Sequence, residues 1–132
     1  MSDHHGAVWW TELMTRDVET AKAYYGQVCG WTWQSMPMGE DGDYHLAIRQ
    51  GRPVAGMMDM SGMGTMAHVP PHWFSYFAVD DVDAAAKATA AAGGKVIREP
   101  FEIPGTGRIA ILEDPTGAAM GLMTPSPDAA GA

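Results

Sequence analysis

The feature that most constrains this chain is an internal repeat of about 64 residues. The matching positions are residues 9–13 with 73–77, Asp17 with Asp81, Gly30 with Gly94 and, after one extra residue in the second copy, residues 54–58 with 119–123. Two copies of one unit fold into two similar supersecondary structures. We therefore expect a single domain of two units, with unit one at about residues 7–58, a linker at 59–71, and unit two at about 72–124.

Each copy predicts the same order of elements: one strand, one helix and three strands. The alternating aromatic residues at 9–13 and 73–77 are typical of a half-buried strand. Asp17 and Asp81 are predicted to cap the helices at their N-termini. Gly30 and Gly94 are predicted to end them in the left-handed conformation. Glycine and proline clusters at 39–42, 50–53, 104–107 and 114–117 then predict the turns between short strands.

The two predicted helices differ in the size of their apolar residues. The first has an apolar face with i, i+3, i+4 and i+7 spacing, formed by Ala21, Tyr24, Tyr25 and Val28. The second has small residues at the matching positions, Ala85, Ala88, Thr89 and Ala92, which would let it lie close to the sheet. Cys29, the only cysteine, is expected to be a small buried residue near the end of the first helix.

The composition limits the kinds of partner that we expect this chain to bind. The 132 residues include 16 acidic and 8 basic side chains, for a formal net charge of -8. Such a surface repels phosphate, so neither nucleic acid nor an anionic membrane is an expected partner. The N-terminus lacks the pattern of a signal peptide, no apolar run has the length of a membrane span, and one cysteine forms no internal disulfide. We therefore predict a cytoplasmic location.

The motifs resemble those of the vicinal oxygen chelate superfamily, which includes glyoxalase I, extradiol dioxygenases, and fosfomycin and bleomycin resistance proteins. The motifs, which extend over about residues 8–125, are Trp-x-Glu-Leu at 10–13, Tyr-Tyr-Gly at 24–26, Gly-Trp at 30–31, Val-Ala-Gly-Met at 54–57 and Asp-Pro-Thr-Gly-Ala at 114–118. A glyoxalase-like group of bacterial proteins has the same set. The resemblance implies an α+β fold, in which two tandem βαβββ units form a curved mixed β-sheet with the helices outside.

The resemblance also indicates where a metal ion would bind. In the metal enzymes of the superfamily, the first and last strands of each unit each supply one ligand, and the metal lies in the cup of the curved sheet. The corresponding positions here are Trp10, Gly56, Phe74 and Gly121. None of these side chains can bind a divalent cation, so we expect no metal and no cofactor at this site.

Aromatic rings at the first-strand positions suggest an apolar pocket instead, although Trp10 and Phe74 would equally well fill the cup and close it. Strand alternation places Glu12 on the face of Trp10, and Tyr76 on the face of Phe74. A carboxylate beside aromatic rings would have a raised pKa and would suit a general base. The alternative is a structural polar pair, with Glu12 hydrogen-bonded to Tyr76 or to backbone.

These residues give three hypotheses about function. The first is metal-independent binding, with or without conversion, of a small apolar or aromatic molecule. Its tentative catalytic residue is Glu12, and its ligand-binding residues are Trp10, Glu12, Phe74, Tyr76, His45 and Arg108. The second is a metal-dependent enzyme of glyoxalase or dioxygenase type that uses His45, His68 or His72. The third is an interaction module with a filled cup. A homodimer is expected in each case, because open sheet edges and surplus apolar surface favour association.

Overall fold

The structure is a computed structural model that describes residues 2–37, 42–62, 64 and 68–126. Most of the predicted turn at 39–42, part of the predicted linker and nearly all of the C-terminal tail lie outside the described residues. The elements are β1 (Val8–Thr15), α1 (Val18–Cys29), β2 (Thr32–Pro37), β3 (Asp43–Arg49), β4 (Arg52–Asp59), β5 (His72–Ala78), α2 (Val82–Ala91), β6 (Lys95–Ile103), β7 (Gly107–Glu113) and β8 (Ala119–Pro125). This order confirms the predicted α+β class and the repeated strand–helix–three-strand unit.

The residues form two compact units. One is Trp10–Phe74, called here the N-terminal unit, and the other is Met1–Trp9 with Ser75–Ala132, called the C-terminal unit. In the N-terminal unit the strands are ordered β2-β3-β4-β1, with β1 parallel to β4 and the other pairs antiparallel. In the C-terminal unit they are ordered β5-β8-β7-β6, with β5 parallel to β8 and the other pairs antiparallel. Each unit therefore contains a mixed sheet.

The helix starts are as predicted, and one of the two predicted ends is wrong. Asp17 and Asp81 each accept a hydrogen bond from the backbone N–H three residues on, at 3.1 Å. Gly30 ends α1 with a φ of 73°. After α2, however, the positive φ is at Gly93, not Gly94. Gly94 is needed for another reason, because a Cβ there would lie 2.7 Å from the carbonyl oxygen of Glu113.

Helix α2 is anchored in a core, whereas α1 is not. Val82 and Ala86 are buried in a cluster with Ala110, Leu112 and Leu122. The predicted packing face of α2 was therefore wrong in part, because Ala88 and Ala92 are exposed.

Helix α1 has no buried residue. Tyr24 and Val28, from its predicted apolar face, are 55% and 61% exposed. Cys29 is also exposed, so the expectation that it is buried was wrong. These exposed side chains all lie in the second half of α1.

The N-terminal residues are tied to the C-terminal unit. Gly6 donates to the carbonyl of Ala78 at 2.7 Å, and the Nδ1 of His5 accepts from the backbone N–H of Asp80 at 2.9 Å. These contacts hold the chain up to the start of β1. Within the described ranges, neither helix has the length and hydropathy that crossing a membrane requires.

Candidate functional site

Three side chains of the N-terminal unit form one hydrogen-bonded chain, which we call the tyrosine network. The indole Nε1 of Trp10 donates to the hydroxyl oxygen of Tyr44 at 2.8 Å. That hydroxyl donates in turn to the Oε2 of Glu12 at 2.7 Å. Both distances are short enough for well-formed hydrogen bonds. The network thus joins two of the predicted site residues to a third residue that the motifs did not identify.

The strand register explains how these side chains meet. Trp10 and Glu12 are two residues apart on β1, so they point to the same face. Tyr44 belongs to β3, and β4 lies between β3 and β1. On β4, Gly56 is the register partner of Glu12. A Cβ at Gly56 would overlap the Tyr44 hydroxyl. Tyr44 therefore reaches β1 by crossing β4 at a position that only glycine can occupy.

Glu12 is an unusual residue for the interior of a sheet. It is only 6% exposed, and an ionised carboxylate in such a place is costly unless donors surround it. The hydrogen bond from Tyr44 favours the ionised form, and the bond from Trp10 polarises the phenol further. Among the described residues, no buried side-chain nitrogen or oxygen is without a hydrogen-bond partner. The network therefore holds a hydrogen-bonded carboxyl group inside the protein.

The C-terminal unit has a related arrangement without the carboxylate. Tyr76, the repeat partner of Glu12, is 8% exposed and lies opposite Gly121 on the parallel strand β8. A Cβ at Gly121 would overlap the Tyr76 ring. In each unit a tyrosine thus covers the glycine of the last strand. The tyrosine comes from the third strand in one unit and from the first strand in the other.

Two further predicted ligand-binding residues of the N-terminal unit lie outside the tyrosine network. Phe74 is half-buried, and its backbone carbonyl accepts a hydrogen bond from the Oγ1 of Thr11 at 3.3 Å. His45 follows Tyr44 on β3, so its side chain points to the opposite face. There its Nδ1 lies 2.8 Å from the Oγ of Ser35. Burial, and then the charge of Lys22, lower the pKa of His45, which favours the neutral ring.

Arg108, one of the predicted ligand-binding residues, is engaged by carboxylates. Its Nε and Nη2 donate to Asp83 at 2.7 and 2.9 Å, and its Nη1 lies 3.8 Å from Glu102. It lines an open cleft of about 360 Å³ in the C-terminal unit, together with Asp80 and Asp81. An anionic ligand would have to displace Asp83 in an acidic setting, and the role of Arg108 in ligand binding stays a prediction.

The residues at the superfamily's metal positions do not fit a divalent cation. Gly56 and Gly121 offer no donor atom, and tyrosine side chains occupy the space above both. Over the part of the chain that the structure describes, no group of three or more His, Cys, Asp and Glu side chains could hold a metal ion. His72 instead donates from Nδ1 to the carbonyl of Pro70 at 2.8 Å. This bond links the first residue of β5 to the chain just before it.

Tyr44 is the functional residue that the sequence reasoning missed. It lies outside the motifs and the predicted site residues of the sequence analysis. Two signals together would have found it. Gly56 falls opposite Glu12 once the parallel pairing of β1 and β4 is assumed, and the alternation of β3 leaves Tyr44 on the same face as Glu12.

The comparisons with known proteins agree with this fold. The family model described as "Glyoxalase/Bleomycin resistance protein/Dioxygenase superfamily" matches residues 7–122. The match covers both units and includes the tyrosine network and both covered glycines. The chain therefore belongs to this superfamily, and the resemblance inferred from its motifs is confirmed.

Two curated relatives extend the comparison. The chain is 43% identical over 122 residues to "Putative glyoxylase CFP32" of Mycobacterium bovis, which covers 92% of this chain and 45% of that protein. It is 34% identical over 127 residues to "Anthracycline biosynthesis protein DnrV" of Streptomyces peucetius, covering 89% of this chain and 46% of that protein. The chain thus spans less than half the length of these curated relatives.

Solved structures show the same fold at low sequence identity. Methylmalonyl-CoA epimerase from Mycobacterium tuberculosis superimposes with a TM-score of 0.67 at 16% identity, covering 100% of this chain and 97% of the epimerase chain. The Mn(II)-bound glyoxalase from Novosphingobium aromaticivorans gives a TM-score of 0.60 at 23% identity, covering 92% of this chain and 39% of the glyoxalase chain.

Proposed function

We propose that this chain binds a small aromatic or apolar molecule on the sheet face that carries the tyrosine network, without the help of a metal ion. The observation that carries the proposal is the buried carboxylate of Glu12, held by the Tyr44 hydroxyl next to the ring of Trp10. A desolvated charged acceptor beside an aromatic surface binds a ring and one polar group at the same time.

The half-buried indole of Trp10 supports an aromatic ligand. One relative is named for anthracycline biosynthesis, and anthracyclines contain planar fused rings with hydroxyl groups. Such a molecule would stack on an aromatic side chain and donate a hydroxyl to a carboxylate. The ligand class proposed here is accordingly a planar hydroxylated ring system of that general kind.

Metal independence is supported by the donor set. The superfamily positions on the last strands are glycines, and Tyr44 and Tyr76 cover them. Without a metal ion, Glu12 has two possible roles. It anchors a ligand hydroxyl or amine, or it acts as a general base toward a ligand with an acidic C–H group, taking up one proton and returning it in a lyase or isomerase step.

We also propose that the chain forms a homodimer. The N-terminal unit has a group of aromatic side chains around α1, in which Tyr25 stacks on Trp31 at 5.4 Å and meets Trp73 edge-on at 5.4 Å. Tyr25 and Trp31 are half-buried, and Trp73 is 39% exposed. Aromatic rings that remain partly exposed are typical of an interaction surface, and a second copy would cover them. The cytoplasmic location stays a prediction.

The proposed function is tested by isothermal calorimetry with 1,4-dihydroxyanthraquinone. We expect saturable binding by the wild-type chain and a loss of about tenfold or more in affinity for Glu12→Gln, which keeps the shape but removes the charge. Glu99→Gln, on an exposed part of β6, is the matched control and should bind as the wild type does. Equal affinity for wild type and Glu12→Gln would contradict the proposal, as would no binding by the wild type.

A further inference from the structure

We propose that Tyr44 is the positioning residue of this site, and that through it Glu12 selects ligands that donate a hydrogen bond rather than ligands that carry a negative charge. The inference rests on the proposed function for its ligand, but its structural part concerns only residues of this chain. Its central observation is the pair of hydrogen bonds at 2.8 and 2.7 Å that the Tyr44 hydroxyl makes.

The hydrogen bonds of the network run in one direction. An indole nitrogen can only donate, so the Tyr44 oxygen must accept from Trp10. The phenolic proton of Tyr44 is then donated to Glu12, which accepts it at Oε2. The network therefore runs from Trp10 through Tyr44 to Glu12.

The orientation of the Glu12 carboxyl group depends on a residue of another strand. Glu12 lies on β1 and Tyr44 on β3, so the hydrogen bond between them spans the width of β4. Strand β4 permits this only at Gly56, where a side chain would overlap the Tyr44 hydroxyl. A rigid phenol has few rotamers, so it holds the carboxylate in a defined orientation at low entropic cost.

The selectivity follows from charge. Glu12 is only 6% exposed, and a buried carboxylate is held in the ionised form only when donors such as the Tyr44 hydroxyl surround it. A carboxylate held in the ionised form attracts hydroxyl, amine or acidic C–H groups and repels a second anion. The whole chain has a formal net charge of -8, which acts in the same direction. The ligand class is thus neutral and hydroxylated rather than carboxylated.

The experiment is NMR spectroscopy of the full chain with isotope-labelled tryptophan and glutamate. In Tyr44→Phe, which keeps the ring and removes the hydroxyl, we expect the Trp10 indole N–H signal to shift upfield. We also expect the Glu12 carboxyl titration to move upward by about one to two pH units. Tyr24→Phe, at an exposed tyrosine of α1, is the control and should change neither signal. Unchanged Trp10 and Glu12 signals in Tyr44→Phe would overturn the positioning role.

If Tyr44→Phe does not fold, a substitution of Trp10, the donor to the Tyr44 hydroxyl, provides a second test of the network. Trp10→Phe removes the N–H donor to Tyr44 and keeps an aromatic ring, although a smaller one, at this position. It should move the Glu12 titration in the same direction by a smaller amount, and no movement would overturn the network.

Ligand selection is tested separately, with 1,4-dihydroxyanthraquinone against anthraquinone-2-carboxylate. We expect wild type to bind the dihydroxy compound at least tenfold more tightly. Preference for the carboxylate would overturn the selectivity. If wild type binds neither compound, both the proposed function and the ligand selectivity are refuted. The positioning role of Tyr44 is still decided by the NMR spectra, because those measurements need no ligand.

Discussion

The hydroxyl of Tyr44 fills the space beside Gly56 in which the Cβ atom of any other residue at position 56 would lie. The consequence extends beyond these two residues, because the same hydroxyl is the partner of Trp10 and Glu12. A substitution at Gly56 on β4 would therefore move Tyr44 and disturb the carboxyl group of Glu12 on β1.

Gly56→Ala should destabilise the fold by about 1–3 kcal/mol, the usual cost of adding a buried atom to a packed site. The added methyl group has to displace Tyr44, so the network opens. Urea denaturation measures the loss. Gly62→Ala, at an exposed position where a Cβ meets nothing within 4 Å, is the control and should differ little from wild type. In a Tyr44→Ser background, Gly56→Ala should cost much less. An equal cost in both backgrounds would show that the two residues are not coupled.

Tyr44→Phe should destabilise the chain by about 1.5–3 kcal/mol near neutral pH, because it removes a hydrogen bond to a charged group. The difference should depend on pH. A hydrogen bond to an ionised carboxylate is stronger than one to a protonated carboxyl group, so the variant should approach the stability of wild type at low pH, where the carboxyl is protonated. Denaturation curves at pH 3 and pH 7 test this. A difference that is constant with pH would mean that the hydroxyl does not act on a charged Glu12.

The purified protein should contain far less than one equivalent of Zn, Fe, Ni or Mn, and chelators should leave its melting temperature unchanged. The expectation follows from Trp10, Gly56, Phe74 and Gly121, which supply no ligand set. Elemental analysis by mass spectrometry gives the metal content. A metal present in near-equimolar amount, and lost together with stability on chelation, would favour a non-standard metal site.

In solution at tens of micromolar the chain should have the mass of a dimer by light scattering. Val28→Glu places a charge among the exposed apolar side chains of α1, where Val28 is 61% exposed, and should shift the mass toward a monomer. Gln27→Glu adds the same charge one residue earlier at a position that is already polar, and should leave the mass unchanged. A monomeric wild type would refute the proposed dimer.

The turn before β8 should make the fold sensitive to acid. Hydrogen bonds from the Thr116 hydroxyl, and then from the backbone of Ala118 and Thr116, lower the pKa of Asp114. A carboxyl with a depressed folded-state pKa stabilises the fold above its usual value of about 3.8 and loses that effect as the pH falls through the folded-state pKa. The advantage of wild type over Asp114→Asn should therefore shrink below about pH 4. Glu99→Gln is the control. An advantage that does not change with pH would show that the charge of Asp114 is not involved.

Much of the fold could be predicted because the repeat supplies every signal twice. Asp17 and Asp81 cap their helices as expected, since an N-cap needs only a local side-chain acceptor. The burial of α1 could not be predicted from its apolar spacing. Periodicity shows that Tyr24 and Val28 share a face, but it does not show what covers that face, and among the described residues both side chains are more than half exposed.

Part of the candidate site could likewise be predicted from the sequence, and part of it could not. The alternation of β1 correctly placed Trp10 and Glu12 on one face, because strand geometry is local. Tyr44 was missed because its role depends on the pairing of three strands, and a glycine gives no positive signal of the ring that lies over it. The ion pair between Arg108 and Asp83 could not be predicted, because Asp83 lies on α2 and the turn before Arg108 gives no information about that helix.

The covered glycines also bear on how this branch of the superfamily can change over time. A single substitution that placed a carboxylate at position 56 would not supply a usable metal ligand, because Tyr44 already fills the space that it needs. The tyrosine would have to become smaller first, and that step alone would remove the Tyr44 donor from Glu12. Substitutions at position 56 are therefore constrained by the residue at position 44, and we expect the two positions to change together.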